Sequence, residues 1–257
     1  MKKILITGAT SGIAKQLIKR IKKDYFIYVT THTEKELKRI KKLYKNDKNI
    51  ECFKLDITDS IDRNKLYNLD IDILLCNGAT NIGGSIINMN VDDIRYNHEV
   101  NVFSNIEIIQ IILKNMLKKN NGKIIIMGSL ASIIPIPFIG SYSSSKASLV
   151  KISECLKKEL KILNSNIKVS LIEPGLYHTG FNNIMFDNKY DTDFNNLFKE
   201  ELKLIKKKEN LILLLLEKKN WNSIVNKIEQ SLTENKFIYR APLLQVVGAK
   251  IYNLFFE

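Results

Sequence analysis

Several things are scarce in this chain. Its 257 residues include three cysteines, Cys52, Cys76 and Cys155, with no CxxC pair among them. That spacing excludes a disulfide framework and the usual structural zinc site, and free thiols suit a reducing compartment, so a cytoplasmic protein is expected. The three histidines, His32, His98 and His178, stand far apart without an accompanying cluster of acids, and no metal centre is expected. Neither a Pro/Gly/Ser-rich linker nor an internal repeat interrupts residues 1–257, which read as one domain. The longest purely aliphatic run, Leu211 to Leu216, falls far short of the roughly 18 apolar residues that a membrane span requires. The opening MKKILITGAT is too short for a secretory leader and runs directly into a glycine-containing turn, so no targeting segment is expected.

Acidic residues are also in deficit, 27 against 40 basic, which leaves a net charge of +13. The lysines are spread along the chain. The denser stretches, Lys35 to Lys45 and Lys203 to Lys208, carry apolar residues at helical spacing and read as solvated helix faces. With no nucleic-acid module beside them, a nucleic-acid partner is not expected.

What is abundant is alternation. Short blocks of Ile, Val and Leu alternate with longer amphipathic stretches up to about residue 175, the pattern of βαβ units. Strands are predicted at Lys3–Thr7, Phe26–Thr30, Glu51–Leu55, Ile71–Cys76, Lys123–Met127, Lys168–Ile172 and Phe237–Tyr239. The first helix should begin near Ser11, because Ile13, Ala14, Leu17, Ile18 and Ile21 then share one face. The fold class is α/β: a Rossmann-type, doubly wound parallel sheet of about seven strands with helices on both faces. Beyond Thr179 the alternation weakens. Residues 180–210, with helical pieces near Phe194–Leu204, are placed to act as a substrate lid. Residues 236–257 add a strand and an apolar tail, Leu243 to Phe256. Lys250 is the single charge within that tail, so it lacks the basic face of a membrane-surface helix. Burial against the lid or in a homodimer or homotetramer interface is expected instead. Trp221, with Ile224, Val225 and Ile228, has the spacing of a core helix.

Chemistry-bearing groups sit between these elements. Thr7-Gly8-Ala9-Thr10-Ser11-Gly12-Ile13-Ala14 joins the first strand to the first helix. Gly8 permits a tight turn, Gly12 removes a side chain where backbone would approach a pyrophosphate, and the helix N-terminus offers free N–H groups and a positive dipole. The end of the second strand, Val29-Thr30-Thr31-His32-Thr33, carries no acid to accept from an adenosine ribose. Thr31 and His32, with Lys35 nearby, could donate to a 2′-phosphate, so NADP is favoured, with NAD left open. Tyr142 and Lys146 are four residues apart and share a helix face, which brings an ammonium near a phenol and should lower its pKa from about 10. Ser129 closes a strand upstream and could hold a substrate oxygen. The walls of a substrate pocket would come from residues 82–95, 130–140 and 180–210, whose Ile, Pro, Phe and Met content suggests an apolar lining.

These motifs together resemble the classical short-chain dehydrogenase/reductase family. TGATSGIA is similar to its TGxxxGIG fingerprint with Ala14 for the third glycine. Tyr142 to Lys146 reproduces YxxSK with Ser129 and Asn101 upstream, Pro174-Gly175-Leu176-Tyr177-His178-Thr179 resembles PGxxxT, and Cys76-Asn77-Gly78-Ala79 partly matches an NNAG turn. The likeness spans about residues 1 to 180. It implies strand order 3-2-1-4-5-6-7 and reversible hydride transfer between a nicotinamide and a small carbonyl or alcohol substrate. Tyr142 would be the acid/base, and Lys146 would clasp the nicotinamide ribose. Asn101 would hold a water linking Lys146 to solvent, and Asp56, beside Ile57, would accept from the adenine amino group. Cofactor contacts are implied at Thr7, Gly8, Thr10, Ser11, Gly12, Ile13, Thr31, His32, Asp56, Ile57, Asn77, Gly78, Ala79, Tyr142, Lys146, Pro174, Gly175 and Thr179. Two rival readings are a cofactor-retaining epimerase or dehydratase of nucleotide sugars, usually a longer chain, and an NAD(P)-binding regulator without turnover.

Overall fold

Strand-forming blocks such as KILI and KIIIM are apolar at successive positions, so both of their faces must be covered, as in a buried parallel sheet. A computed structural model describes the backbone of residues 1–181, 190 and 192–256, and the side chains of these residues except 192–194 and 250–256. The central part of the expected lid, 182–189 and 191, lies outside the described residues. Seven strands, β1 (Lys2–Ile6), β2 (Tyr25–Thr31), β3 (Ile50–Lys54), β4 (Ile73–Cys76), β5 (Lys123–Met127), β6 (Lys168–Pro174) and β7 (Ile238–Ala241), form one sheet in the order β3-β2-β1-β4-β5-β6-β7. Every neighbouring pair is parallel.

Strand ends differ from the sequence reading by one or two residues where side chains or late pairings intervene. The Asp72 carboxylate accepts the Lys3 N–H at 2.9 Å, and β4 starts just after it, at Ile73 instead of Ile71. Glu173 and Pro174 still pair with Arg240 and Ala241, which carries β6 and β7 beyond their expected ends.

The period of two along β1 divides the core. Ile4 and Ile6 enter one cluster with α1 (Gly12–Ile21), and Leu5 enters the other with residues of α5 (Ser104–Lys118) and α6 (Gly140–Ile162). As expected, α1 is capped by Ser11 and buries Ile13, Ala14, Leu17, Ile18 and Ile21. Alongside α1, α9 (Asn222–Thr233) buries Ile224, Val225 and Ile228, and Arg20 meets Glu229 at 2.6 Å across the pair. The helices α2 (Glu34–Leu43), α3 (Ser60–Asn64) and α4 (Val91–His98) follow β2, β3 and β4, and a π-helical turn over Glu99–Phe103 links α4 to α5.

Parallel winding places the turns after β1 to β6 at one edge of the sheet, where α/β folds gather ligands. Over this edge lie α8 (Leu202–Leu216), which follows a short α7 (Thr192–Leu197) in the chain, and α10 (Leu243–Phe256). The aliphatic run at 211–216 is thus the last part of α8, which has no buried residue. The apolar tail is helical. Gln245 ties it to both neighbours, its carbonyl accepting from Leu176 N–H and its amide donating to Leu216 O, each at 2.6 Å. No described helix is long and apolar enough to cross a membrane.

Candidate active site

The β1–α1 turn is held from below by the β4 turn. Thr7 Oγ1 accepts from the N–H groups of Asn77 and Gly78, both at 2.9 Å, and Asn77 Nδ2 donates to Thr7 O and Gly8 O. Gly8 has φ +57°, and a Cβ on it would come within 2.7 Å of Gly78 Cα, so this position tolerates only glycine. Within the first turn of α1, Ser11 Oγ accepts from Ala14 N–H at 3.2 Å. The N–H groups of Gly12 and Ile13 have no protein acceptor among the described residues, a fixed pair of donors at a helix N-terminus that fits an anion.

These turns open on a cavity of about 1540 Å³, larger than the roughly 300–1,000 Å³ of ordinary small-ligand pockets. Of the sequence-predicted positions it gathers Gly8, Thr10, Ser11, Ile13, His32, Asp56, Ile57, Asn77, Gly78, Ala79, Ser129, Tyr142, Lys146, Pro174, Gly175 and Thr179. Four stand behind the wall. Thr7 is the strut just described, and Thr31 points inward, its hydroxyl donating to Thr33 O at 3.3 Å, so it has no free donor for a phosphate. Gly12 turns its missing Cβ towards Trp221, whose Cη2 lies 2.3 Å from where that atom would be. Its smallness serves helix packing, while its N–H stays one of the two unpaired donors at the helix N-terminus.

Asn101 is the fourth. Buried in the π-helical turn, its amide accepts from Thr80 N–H at 2.8 Å and donates to Thr80 O and Ser145 Oγ, each at 2.9 Å. Both amide protons are engaged with protein, so the side chain is a positioning clamp between the β4 loop and α6. Asn97, one turn earlier and absent from the sequence reading, repeats the pattern on Ile82 N–H, Ile82 O and Ser141 Oγ. The two asparagines thus fix the loop after β4 against the helix that carries Tyr142 and Lys146. Their spacing of four, matched by Ser141 and Ser145, is the signal that could have revealed Asn97.

At the inner end, Ser129 and Tyr142 both line the cavity, and Ser129 Oγ accepts from Ala131 N–H at 3.1 Å. Ser132 Oγ donates to the buried Glu173 carboxylate at 3.0 Å, and Arg240 Nε donates to the same group at 2.5 Å, bracing the turn that carries Ser129. Lys146 Nζ donates to Met127 O at 2.9 Å and stands 5.8 Å from the centre of the Tyr142 ring. Burial pushes the Tyr142 phenol up to about 12, with the Ser129 hydroxyl only partly opposing it. Burial likewise lowers Lys146 from 10.5 to about 8. The phenol is therefore shifted up by its burial, and not down as the four-residue spacing from Lys146 led one to expect.

At the far end, His32 Nε2 lies 3.2 Å from Asp56 Oδ2, while Asp56 Oδ1 accepts from the Thr58 N–H and hydroxyl. Burial raises the Asp56 carboxyl, but the Thr58 bonds and His32 more than offset this and leave it below the usual range. One acid at this end escaped the reading of β2. Glu36 folds back so that its carboxylate accepts from the N–H groups of both His32 and Thr33 at 3.2 Å, and it lines the cavity. Thr33-x-x-Glu36 is a capping box, which the sequence does display. His178, in the turn after β6, pairs with Glu217 at 2.7 Å and is not on the cavity wall.

Comparison with known proteins accords with this geometry. Residues 2–189 match the family model for short chain dehydrogenases. The chain is 29% identical over 216 residues to a 3-ketodihydrosphingosine reductase of Bacteroides thetaiotaomicron, covering 80% of this chain and 76% of that one. It is 25% identical to an NADPH-dependent 3-dehydrocapnine reductase of Ornithobacterium rhinotracheale, across 100% of this chain and 97% of the relative. The fold superposes on a short-chain dehydrogenase/reductase from Burkholderia phymatum in complex with NAD with a TM-score of 0.81 at 16% identity, covering 98% and 93% of the two chains. The chain is an oxidoreductase belonging to the short-chain dehydrogenase family.

Proposed function

We propose that the chain reduces a carbonyl compound with NADPH and runs the reverse oxidation with NADP⁺, Tyr142 moving the proton. The observation that carries this reading is the trio of Ser129, Tyr142 and Lys146, the last two buried, set in the same cavity as the helix N-terminus that fits a pyrophosphate. The N–H groups of Gly12 and Ile13, with Thr10 and Ser11, would hold the coenzyme's phosphates, Asp56 and Ile57 its adenine end, and Asn77 to Ala79 with Pro174, Gly175 and Thr179 the nicotinamide half. When bound, the nicotinamide supplies or accepts the hydride.

The rest belongs to this chain's own side chains. Ser129 holds the substrate oxygen by a hydrogen bond, which strengthens as that oxygen gains charge. Tyr142, protonated at neutral pH, gives its proton to that oxygen in reduction. Lys146 stabilises the phenolate left behind, because an opposite charge close by favours the ionised form. Asn97 and Asn101 keep the helix face carrying these groups in register with the β4 loop.

NADP is preferred over NAD in this reading. His32 stands at the wall, β2 itself ends without an acid, and the relative that matches along the whole chain is named for NADPH. NAD also fits the cavity. Residues 1–257 act as one domain in a homodimer or homotetramer, with 180–210 covering the substrate.

The test follows NADPH and NADH absorbance against a panel of aldehydes, ketones and keto-sugars for the wild type and Tyr142→Phe. The variant should lose roughly 10²- to 10⁴-fold in turnover, the usual worth of a positioned general acid, while still binding NADPH. Undiminished reduction by Tyr142→Phe would show that the acid is misassigned.

A further inference from the structure

Resting on that reading of the site, we infer that the carbonyl compound taken by this chain is a long-chain aliphatic ketone, its alkyl chain lying between Tyr142 and the inner face of α8. Four observations lead there. First, the cavity's volume of about 1540 Å³ exceeds that of an ordinary single-ligand pocket, and its lining runs from the β1, β2 and β3 turns past Tyr142 to α8, which leaves room for a second ligand.

Second, beyond Tyr142 the walls are apolar: Ile136 and Phe138 from the loop after β5, Phe181 from the turn after β6, and then α8. The cavity face of α8 is Ile205, Lys208, Glu209, Ile212 and Leu216, at i, i+3, i+4, i+7 and i+11, one stripe of a helix. Among its two polar members, Glu209 is already bonded to the Tyr190 hydroxyl. A polyhydroxylated substrate such as a sugar would leave most of its hydroxyls without partners along this surface, each a desolvation loss.

Third, the two aromatic rings are already engaged with protein. Phe181 meets Tyr142 edge to face at 5.9 Å, and Phe138 meets Phe198 at 5.3 Å. What remains along α8 is Ile205, Ile212 and Leu216 with the Lys208 ammonium among them, a lining that accommodates a flexible hydrocarbon without demanding a ring to stack.

Fourth, α8 buries none of its residues although it is rich in Ile and Leu. A surface helix normally gains its stability by packing such a stripe on a core. An alkyl chain in the cavity would cover Ile205, Ile212 and Leu216 and complete that packing. The occupant is assigned to this place because the stripe is continuous with the cavity that contains Ser129 and Tyr142.

The experiment is a chain-length series with the full-length wild type: 2-alkanones from butan-2-one to dodecan-2-one. NADPH oxidation is followed, and in parallel the same ketones are titrated calorimetrically into protein loaded with NADP⁺. Each buried CH₂ is worth about 0.8 kcal/mol, so kcat/KM and affinity should both climb by up to about fourfold per carbon until the slot is filled. Ile212→Asp, on the cavity stripe, should flatten that slope. Leu214→Asp, on the outer side of the same helix at 79% exposure, should keep it, and circular dichroism checks that both variants fold.

Turnover of short ketones or keto-sugars with a flat or falling chain-length profile would overturn the alkyl slot and leave the reductase reading standing. So would a preference for a rigid steroid ketone over dodecan-2-one. Affinity that climbs with chain length while no ketone is turned over would uphold the slot and defeat the reductase reading. Neither binding nor turnover would end both.

Discussion

Replacing Lys146 by methionine should make the protein more stable at neutral pH while removing its activity. Lys146 is 3% exposed, and among the described residues its ammonium donates one hydrogen bond, to the Met127 carbonyl. Burial lowers its pKa from 10.5 to about 8, a displacement that corresponds to about 3 kcal/mol of destabilisation of the folded state at pH 7. Methionine fills a similar volume without the charge, but leaves the Met127 carbonyl without its donor, a loss of about 1 kcal/mol. The net gain is about 1–2 kcal/mol, which for a chain of this size raises Tm by roughly 2–8 °C.

The sign with pH distinguishes this cause from better packing. Below pH about 8 the lysine is charged in both folded and unfolded chains, and the burial penalty is fully present. Between pH about 8 and 10.5 the folded chain has released the proton while the unfolded chain still holds it, so wild-type stability rises with pH. Above 10.5 both are neutral and the penalty is gone. The advantage of Lys146→Met should therefore be largest at pH 7 and fade towards pH 10.5. Thermal unfolding followed by circular dichroism without added coenzyme, at both pH values, measures it. A variant that melts lower than wild type at pH 7, or whose gain is the same at both, would refute the argument that desolvation governs this lysine.

Two further outcomes test other parts of the site. Glu36→Gln keeps an acceptor near the His32 and Thr33 N–H groups but removes a negative charge where a 2′-phosphate dianion would sit; with unit charges ~5 Å apart in water worth about 0.8 kcal/mol, the NADPH-to-NADH affinity ratio should rise on the order of tenfold. Fluorescence titration of both coenzymes reads this, and an unchanged ratio would place the phosphate elsewhere. Gly12→Ala drives a Cβ to 2.3 Å from Trp221 and should lower stability in urea unfolding by about 1–3 kcal/mol, most of it recovered in the double variant with Trp221→Leu. Additive losses in that cycle would show that the two residues do not share one space.

Much of the fold was readable because its signals are local. Each strand is a continuous apolar block bounded by turn chemistry, and the order of the sheet follows from the family likeness of the first 180 residues, as TGATSGIA and YSSSK display it. Tyr142 and Lys146 were readable as neighbours because four residues make one helical turn. Their electrostatics were not, since depth beneath the surface is set by whatever packs over α6, and that burial reverses the expected direction for the phenol. Thr31 shows the same limit. A strand covered on both faces buries successive residues, so Thr30 and Thr31 both turn inward, and the local sequence cannot say which end residue first meets solvent.

Gly12 shows how a correct residue can be found for an incomplete reason. A glycine opening the first helix was expected to admit a pyrophosphate, whereas in the folded chain the space above its Cα belongs to an indole far along the sequence. That indole is itself a fastener: Trp221 Nε1 donates to His178 O at 3.0 Å, and His178 belongs to the turn that also supplies Pro174, Gly175 and Thr179 to the cavity. The missing methyl at position 12 therefore lets α9 close against α1, and this closure anchors the turn after β6. An added side chain there would act on the ligand indirectly, by shifting the Pro174–Thr179 wall, and no reading confined to the glycine's neighbours in sequence could assign it that role.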